Sequence, residues 1–227
     1  MRPPIEFLFP PELGAELMYS LVIIICSLMI YYSTKEMYEL SSYKGIKYFR
    51  MAFLFFAIAY FFRYFIFFFL AVFDIDNFLW LSQWGILGLS RVIFLYSSSM
   101  AIFYLIYSVM WKKWNHSKIK TYAFNFLALI IALTGSMLEG PEVSLFLNII
   151  LFVSSSFVLF IAYQNSKNKQ KGKNLLIIYL LLFIFFFLNI INVLIPEFLQ
   201  LYKIGIYLIS ISLFMTILYK VLKKMGN

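Results

Sequence analysis

Four ionisable residues lie inside long apolar stretches of the sequence: Glu16, Arg63, Arg91 and Lys203. A charge at the centre of a membrane helix costs at least about 2.5–3.5 kcal/mol, so each of these residues needs a physical explanation. Glu16, Arg91 and Lys203 fall close to predicted helix ends. There the helix dipole stabilises an acid, and a long basic side chain can extend to the lipid headgroups.

Arg63 is different because it lies deeper. It precedes Asp74 by eleven residues, which places it roughly 16 Å below its helix end and near the middle of a membrane. Its side chain is therefore expected to face the inside of a helix bundle. Direct contact with Glu16 requires that the first helix begin early, near Pro11, or that water bridge the two groups. The neutral partners available to Arg63 are Asn148, Asn189, Asn192 and the hydroxyl of Tyr60.

Two interpretations of these residues remain open. In the first, Arg63 belongs to a structural polar network that extends to Glu16. In the second, an outward-facing pocket binds a small polar or anionic ligand. The candidate residues of that pocket are Arg63, Arg91, Lys203, Glu16 and Tyr60.

Enzymatic signatures are not found in the sequence. His116 is the sole histidine, and it lies in a lysine-rich segment. The chain has no zinc-type ligand cluster, no glycine-rich phosphate loop and no Gly-x-Ser-x-Gly turn. The acidic pairs Asp74/Asp76 and Glu139/Glu142 are interpreted as an external acidic rim. We therefore expect no enzyme activity, no metal and no cofactor.

The composition indicates that helices within a lipid bilayer position the charged residues. Hydrophobic residues make up 63% of the 227, and charged residues make up 13%. The mean hydropathy is +0.89. A soluble domain has about 25% charged residues, because its surface must be polar. The expected surroundings are therefore the lipid bilayer, and the expected location is the cell membrane, crossed several times.

The apolar stretches predict an all-α fold, a polytopic seven-transmembrane-helix bundle that forms a single domain over residues 1–227. A helix needs about 20 apolar residues to cross a hydrocarbon layer of about 30 Å. Seven stretches approach or exceed this length, and the fourth is the shortest. They are Gly14–Ser33, Arg50–Phe73, Ile86–Met110, Tyr122–Met137, Val143–Tyr163, Leu175–Ile195 and Phe198–Leu222.

Basic residues alternate between the connections of these helices. The first, third and fifth connections and the C-terminal tail carry lysine clusters, represented by Lys44, Lys112, Lys169 and Lys223. The other connections carry acidic residues and no basic ones. The positive-inside rule then predicts an external N-terminus and a cytoplasmic C-terminus. Orientation in the membrane accounts for the net charge of +9, and no nucleic-acid partner is expected.

One stretch carries a resemblance to known proteins. It runs from Tyr38-Glu39-Leu40 through Gly45-Ile46-Lys47-Tyr48-Phe49-Arg50 to Arg63. It resembles an uncharacterised group of small archaeal seven-helix integral membrane proteins. The resemblance covers the first two predicted helices, and it implies the fold but no activity.

Three functional classes fit these observations. A receptor- or sensor-like bundle would use the outer pocket and would signal through a separate cytoplasmic partner at the lysine-rich loops. A small-solute transporter or channel would use the polar helix faces, although its helices are not broken. A structural subunit of a membrane complex would need no pocket.

Overall fold

The computed structural model describes residues 11–65, 80–111, 118–137, 141–167, 173–196 and 199–225. These residues form seven α-helices, and α2 continues into a π-helical turn over Phe61–Phe65. The all-α prediction is confirmed. The predicted rim residues Asp74, Asp76 and Glu139, together with His116, lie outside the described residues. The helices are α1 (Pro11–Ser41), α2 (Lys44–Tyr60), α3 (Trp80–Met110), α4 (Lys118–Met137), α5 (Pro141–Lys167), α6 (Lys173–Leu194) and α7 (Gln200–Met225).

Six of these helices are long and apolar enough to cross a membrane. The fourth predicted span is the one that falls short, because the apolar part of α4 covers only Thr121–Met137. The first predicted span, Gly14–Ser33, is extended at both ends in α1. The six long apolar segments are Gly14–Ser41, Lys44–Tyr64, Gly88–Met110, Asn148–Asn165, Leu175–Leu194 and Gln200–Lys223.

The connection between α1 and α2 is only two residues long, so the two helices run antiparallel. Ser42 closes α1 with a positive φ of 49°, and its N–H donates to the Tyr38 carbonyl over 2.8 Å. The left-handed conformation ends α1 abruptly. The side chains of α1 and α2 then meet over most of their length.

Six helices form a closed ring in the order α1, α2, α3, α5, α6 and α7, with α7 packed against α1. The helix α4 lies outside this ring and packs mainly on α3. Its buried face carries small residues, among them Ala128 and Ala132. Its opposite face exposes large apolar side chains such as Phe126, which is 66% exposed.

Aromatic rings from α2, α6 and α7 fill the centre of the ring of helices. Phe53, Phe185 and Phe214 are fully buried, and the Phe185 and Phe214 ring centroids lie 4.7 Å apart. Serines such as Ser20 and Ser97 are buried as well. Large apolar side chains also cover the outside of the bundle, which is the arrangement expected where lipid surrounds a helix bundle.

Helix α2 comes close to α3 at Gly45. A Cβ atom placed there would lie 2.5 Å from Tyr43 Cε1, 3.0 Å from the Ser108 carbonyl oxygen and 3.0 Å from Trp111 Cδ1. The backbone of α3 cannot retreat without moving the helix. A side chain at Gly45 would therefore push the two helices apart.

We expect Gly45→Ala to lower the free energy of unfolding by about 1–3 kcal/mol, because it overpacks the α2–α3 contact. Gly205→Ala on α7 is the matched control, since nothing lies within 4 Å of its added Cβ. That control should be neutral or stabilising by up to about 1 kcal/mol. Thermal unfolding of both variants in detergent micelles checks the difference, and equal melting temperatures would contradict it.

Candidate functional site

Four tyrosines from three helices and the π-helical turn meet near one end of the ring of helices. This tyrosine cluster consists of Tyr19, Tyr60, Tyr64 and Tyr207, all of which are buried. The Tyr19 ring stacks on Tyr207 with a centroid distance of 4.8 Å. It meets the rings of Tyr60 and Tyr64 edge to face, at 5.8 and 6.5 Å. The cluster therefore joins α1, α2, its π-helical turn and α7 through ring contacts.

The hydroxyl groups of the cluster form a short hydrogen-bond chain toward α6. The Tyr19 and Tyr60 hydroxyls lie 3.2 Å apart. The Tyr60 hydroxyl also donates to Asn189 Oδ1 over 3.5 Å, and the Asn189 amide donates to the Phe185 carbonyl over 3.0 Å. Buried hydroxyls need such partners, because an unpaired one costs about 1–3 kcal/mol.

Glu16 approaches the cluster from the first turns of α1. The Tyr207 hydroxyl donates to Glu16 Oε1 over 2.8 Å. Helix α1 begins at Pro11, which is the early start that contact between Glu16 and the cluster requires. Glu16 as a whole residue is partly exposed, and a carboxylate can accept more hydrogen bonds than this one.

Arg63 lies within the π-helical turn that follows α2. The change of hydrogen bonding begins at Phe61, whose N–H points to the carbonyls of both Ala57 and Ile58. The guanidinium carbon of Arg63 lies 5.1 Å from the Tyr64 ring centroid and 5.3 Å from that of Phe94. These distances fit cation–π contacts, which are worth more where water is excluded.

Ser90 of α3 stabilises the π-helical turn. Its hydroxyl donates to the Phe62 carbonyl over 2.7 Å. A π-turn inserts one extra residue into a helix and leaves carbonyl groups without their usual partners, and such turns are frequent at functional sites. The serine satisfies one of these carbonyls, and the inserted residue changes the direction in which Arg63 points.

Arg63 and Glu16 share the cluster without forming an ion pair. The guanidinium interacts electrostatically with Tyr64, Tyr60, Tyr19 and Glu16. Its nitrogens lie more than 4.0 Å from the Glu16 carboxylate oxygens. Among the described residues, the ion pair found within that distance is the one between Lys35 and Glu39. Both charged groups are half-exposed. The site therefore presents a cation and an anion side by side.

Asn192 adds a hydrogen-bond acceptor to the site. Its side chain lies beside the Tyr207 hydroxyl. Its Oδ1 atom is buried and has no hydrogen-bond partner. A buried acceptor of this kind is uncommon in folded proteins and calls for an explanation.

The remaining predicted site residues lie one helical turn away from the cluster. Arg91 precedes Phe94 by three residues on α3, and Lys203 precedes Tyr207 by four on α7. Both are half-buried. The structure thus brings Arg63, Glu16 and Tyr60 together and places the other two cations on adjoining turns.

Two residues that border the cluster lie near the ends of their helices. Glu16 is five residues from the start of α1, and Asn192 is two from the end of α6. At 1.5 Å per residue these positions are roughly 8 and 3 Å from their helix ends. The mid-membrane depth of Arg63 is counted from Asp74, which lies outside the described residues, so it stays a prediction.

The opposite end of the bundle contains a comparable arginine. The Arg50 guanidinium lies 4.6 Å from the Tyr31 ring centroid, and its Nε donates to the Tyr31 carbonyl over 3.0 Å. There the arginine has a backbone acceptor as well as a ring. Arg50 is therefore a natural control for Arg63.

Sequence reasoning did not identify Tyr19, Tyr64 and Tyr207 as site residues. Each lies one to four residues from an ionisable residue that it did identify. Tyr19 follows Glu16 by three, Tyr64 follows Arg63 directly, and Tyr207 follows Lys203 by four. A search for tyrosines spaced one helical turn from a membrane charge would have found two of the three.

The described fold defines this chain as an α-helical bundle with six helices of membrane-spanning length. It is 34% identical over 227 residues to an uncharacterized protein of Archaeoglobus fulgidus, and the similarity covers 98% of this chain and 96% of that protein. The chain therefore belongs to the same family as this archaeal protein, which confirms the resemblance to an uncharacterised archaeal group. No family model matches the chain, and no solved structure matches it.

We expect Tyr207→Phe to lower the free energy of unfolding by about 1.5–3 kcal/mol, because it removes a hydrogen bond to a charged group. Tyr202→Phe on the same helix is the control, since Tyr202 is 66% exposed. Chemical unfolding in micelles measures both. In a Glu16→Gln background the effect of Tyr207→Phe should shrink, and an undiminished effect would show that the hydroxyl acts elsewhere.

Proposed function

We propose that this protein is a seven-helix integral membrane protein of the cell membrane, with an external N-terminus and a cytoplasmic C-terminus. Six long apolar helices and the outward-facing apolar side chains support the membrane location. The lysines at one set of helix ends, such as Lys44, Lys47 and Lys220, support the orientation. This topology requires that α4 also cross the membrane, which makes seven crossings in all. The tyrosine cluster then faces the outside.

The orientation predicts opposite labelling of two exposed leucines. Leu40, at the end of α1, is 89% exposed, and Leu201, at the start of α7, is 83% exposed. In a Cys26→Ala background, a membrane-impermeant maleimide should modify Leu201→Cys in intact cells and Leu40→Cys only after permeabilisation. The reverse pattern would invert the proposed topology and would place the cluster on the cytoplasmic side.

We further propose that the protein is receptor- or sensor-like and binds a small polar or anionic ligand at the Arg63 site. The observation that carries this proposal is the guanidinium of Arg63, which rests on two aromatic rings and stays apart from the carboxylate of Glu16. Arg63 is partly exposed, and its guanidinium attracts an anion more strongly where little water lies between the two charges. Arginine also binds carboxylates with two parallel hydrogen bonds.

A sensor of this size needs a separate output protein. The predicted cytoplasmic ends of α1, α2 and α7 carry lysines: Lys35, which pairs with Glu39 over 3.8 Å, and the exposed Lys47 and Lys223. An acidic face of a cytoplasmic partner would complement these lysines. Ligand binding would alter the packing of α1, α2 and α7, whose outer ends form the site and whose inner ends carry these lysines.

A structural role is the second candidate, and the hydrogen bonds inside the cluster favour it. The hydroxyls of Tyr19, Tyr60 and Tyr207 all have partners within the protein. A saturated polar network holds helices in register without any ligand. On this alternative the protein would be a subunit of a membrane complex, and it would copurify with a fixed partner.

Thermal unfolding in the presence of anions distinguishes the two candidates. Purified protein in nanodiscs is titrated with acetate, succinate, phosphate and sulfate. A ligand site predicts that at least one anion raises the melting temperature of the wild type and that Arg63→Ala abolishes the shift. Arg50→Ala should preserve the shift, because Arg50 lies at the opposite end of the bundle.

The ligand proposal would be refuted if the shift survived in Arg63→Ala or vanished equally in Arg50→Ala. Should Arg63→Ala fail to fold, Arg63→Lys keeps the charge but loses the two-pronged geometry. That variant should then bind the effective anion more weakly than the wild type does. If no anion, including those with an amino group, stabilises the wild type, the structural candidate takes precedence.

A further inference from the structure

The two charged groups of the site are held apart by their own contacts. Glu16 accepts a hydrogen bond from Tyr207, while the Arg63 guanidinium lies over the rings of Tyr64 and Phe94. Opposite charges in surroundings of low dielectric attract strongly, so a purely structural pair would be expected to close. The separation leaves each charge with unused hydrogen-bonding capacity, and both groups are half-exposed.

The Glu16 side of the site offers two acceptors. A carboxylate accepts up to about four hydrogen bonds, and the Tyr207 hydroxyl supplies one of them. The Asn192 side chain is hydrogen-bonded to the Tyr207 hydroxyl, and its buried Oδ1 atom has no hydrogen-bond partner of its own. Both acceptors are suited to a ligand that carries several N–H groups.

The site therefore prefers a positive group near Glu16 and a negative group near Arg63.

We propose that the ligand is zwitterionic, of the α-amino-acid class, with its carboxylate on Arg63 and its ammonium on Glu16 and Asn192. This inference rests on the proposed ligand site and specifies its chemistry. A molecule with both charges bridges two protein groups that are too far apart to touch. A simple anion would satisfy Arg63 alone and would leave the Asn192 acceptor without a donor.

The test compares each amino acid with the same acid lacking its amino group. The probes are L-leucine with 4-methylpentanoate, and L-glutamate with glutarate. Each is titrated against the full-length protein in nanodiscs, with the melting temperature as the readout. For at least one pair we expect the amino acid to reach half-maximal stabilisation at a concentration about ten-fold lower, because hydrogen bonds to charged groups are worth that much.

Two variants locate the effect. Glu16→Gln should reduce the advantage of the amino acid over its partner, while the carboxylate partner binds as before. Glu36→Gln, an exposed acid on the same helix, should leave the advantage unchanged.

The outcomes distinguish the zwitterion inference from the proposed anion site on which it rests. If amino acid and deaminated partner act equally on the wild type, the zwitterion is ruled out while the anion site survives. An advantage that persists in Glu16→Gln would also overturn the assignment. If no probe of either kind stabilises the wild type, the ligand site itself is lost. The comparison on the wild type decides the matter even if Glu16→Gln does not fold.

Discussion

The cost of holding a guanidinium among apolar helices explains much of the local structure around Arg63. A soluble protein would leave such a group in water, but at the proposed membrane location the protein itself must supply its surroundings. Aromatic faces from Tyr64 and Phe94 provide part of this compensation. The π-helical turn sets the direction of the side chain, and the Ser90 hydroxyl satisfies a carbonyl of that turn. The need to stabilise this cation therefore accounts for the aromatic rings and the serine hydroxyl near it.

The sequence predicted the helices well, because hydropathy and helix length follow from the same physical requirement. Six of the seven spans are matched by long apolar helices, and α4 differs by its short apolar part. Glu16, Arg63 and Tyr60 were named from the sequence as candidate site residues, because charges inside apolar helices are expected to face the bundle. The tyrosine cluster was not, because tyrosines occur throughout the chain and hydropathy does not distinguish a buried ring from a lipid-facing one. The π-helical turn leaves no mark in a 3.6-residue pattern.

The position of helix α4 is a feature that the hydropathy pattern does not predict. Its composition resembles that of the other helices, yet it lies outside the ring and packs mainly on α3. The difference lies in its buried face, which consists of small residues such as Ala128 and Ala132. Small residues allow close contact with one neighbour but do not fill the centre of a bundle. The large rings of Phe53, Phe185 and Phe214 do so, and they come from other helices.

The polar network and the proposed ligand site, first considered as alternatives, use different atoms of the same group of residues. The hydroxyls of Tyr19 and Tyr60 are paired with each other and with Asn189, and they hold α1, α2 and α6 in register. Glu16, Arg63 and Asn192 retain hydrogen-bonding capacity that the network does not use. If a ligand binds as proposed, the paired hydroxyls would hold these groups in place before it arrives, and preorganised groups lose little entropy on binding. The structural hydrogen bonds are therefore compatible with the proposed ligand site, and the anion titration decides between the two candidates.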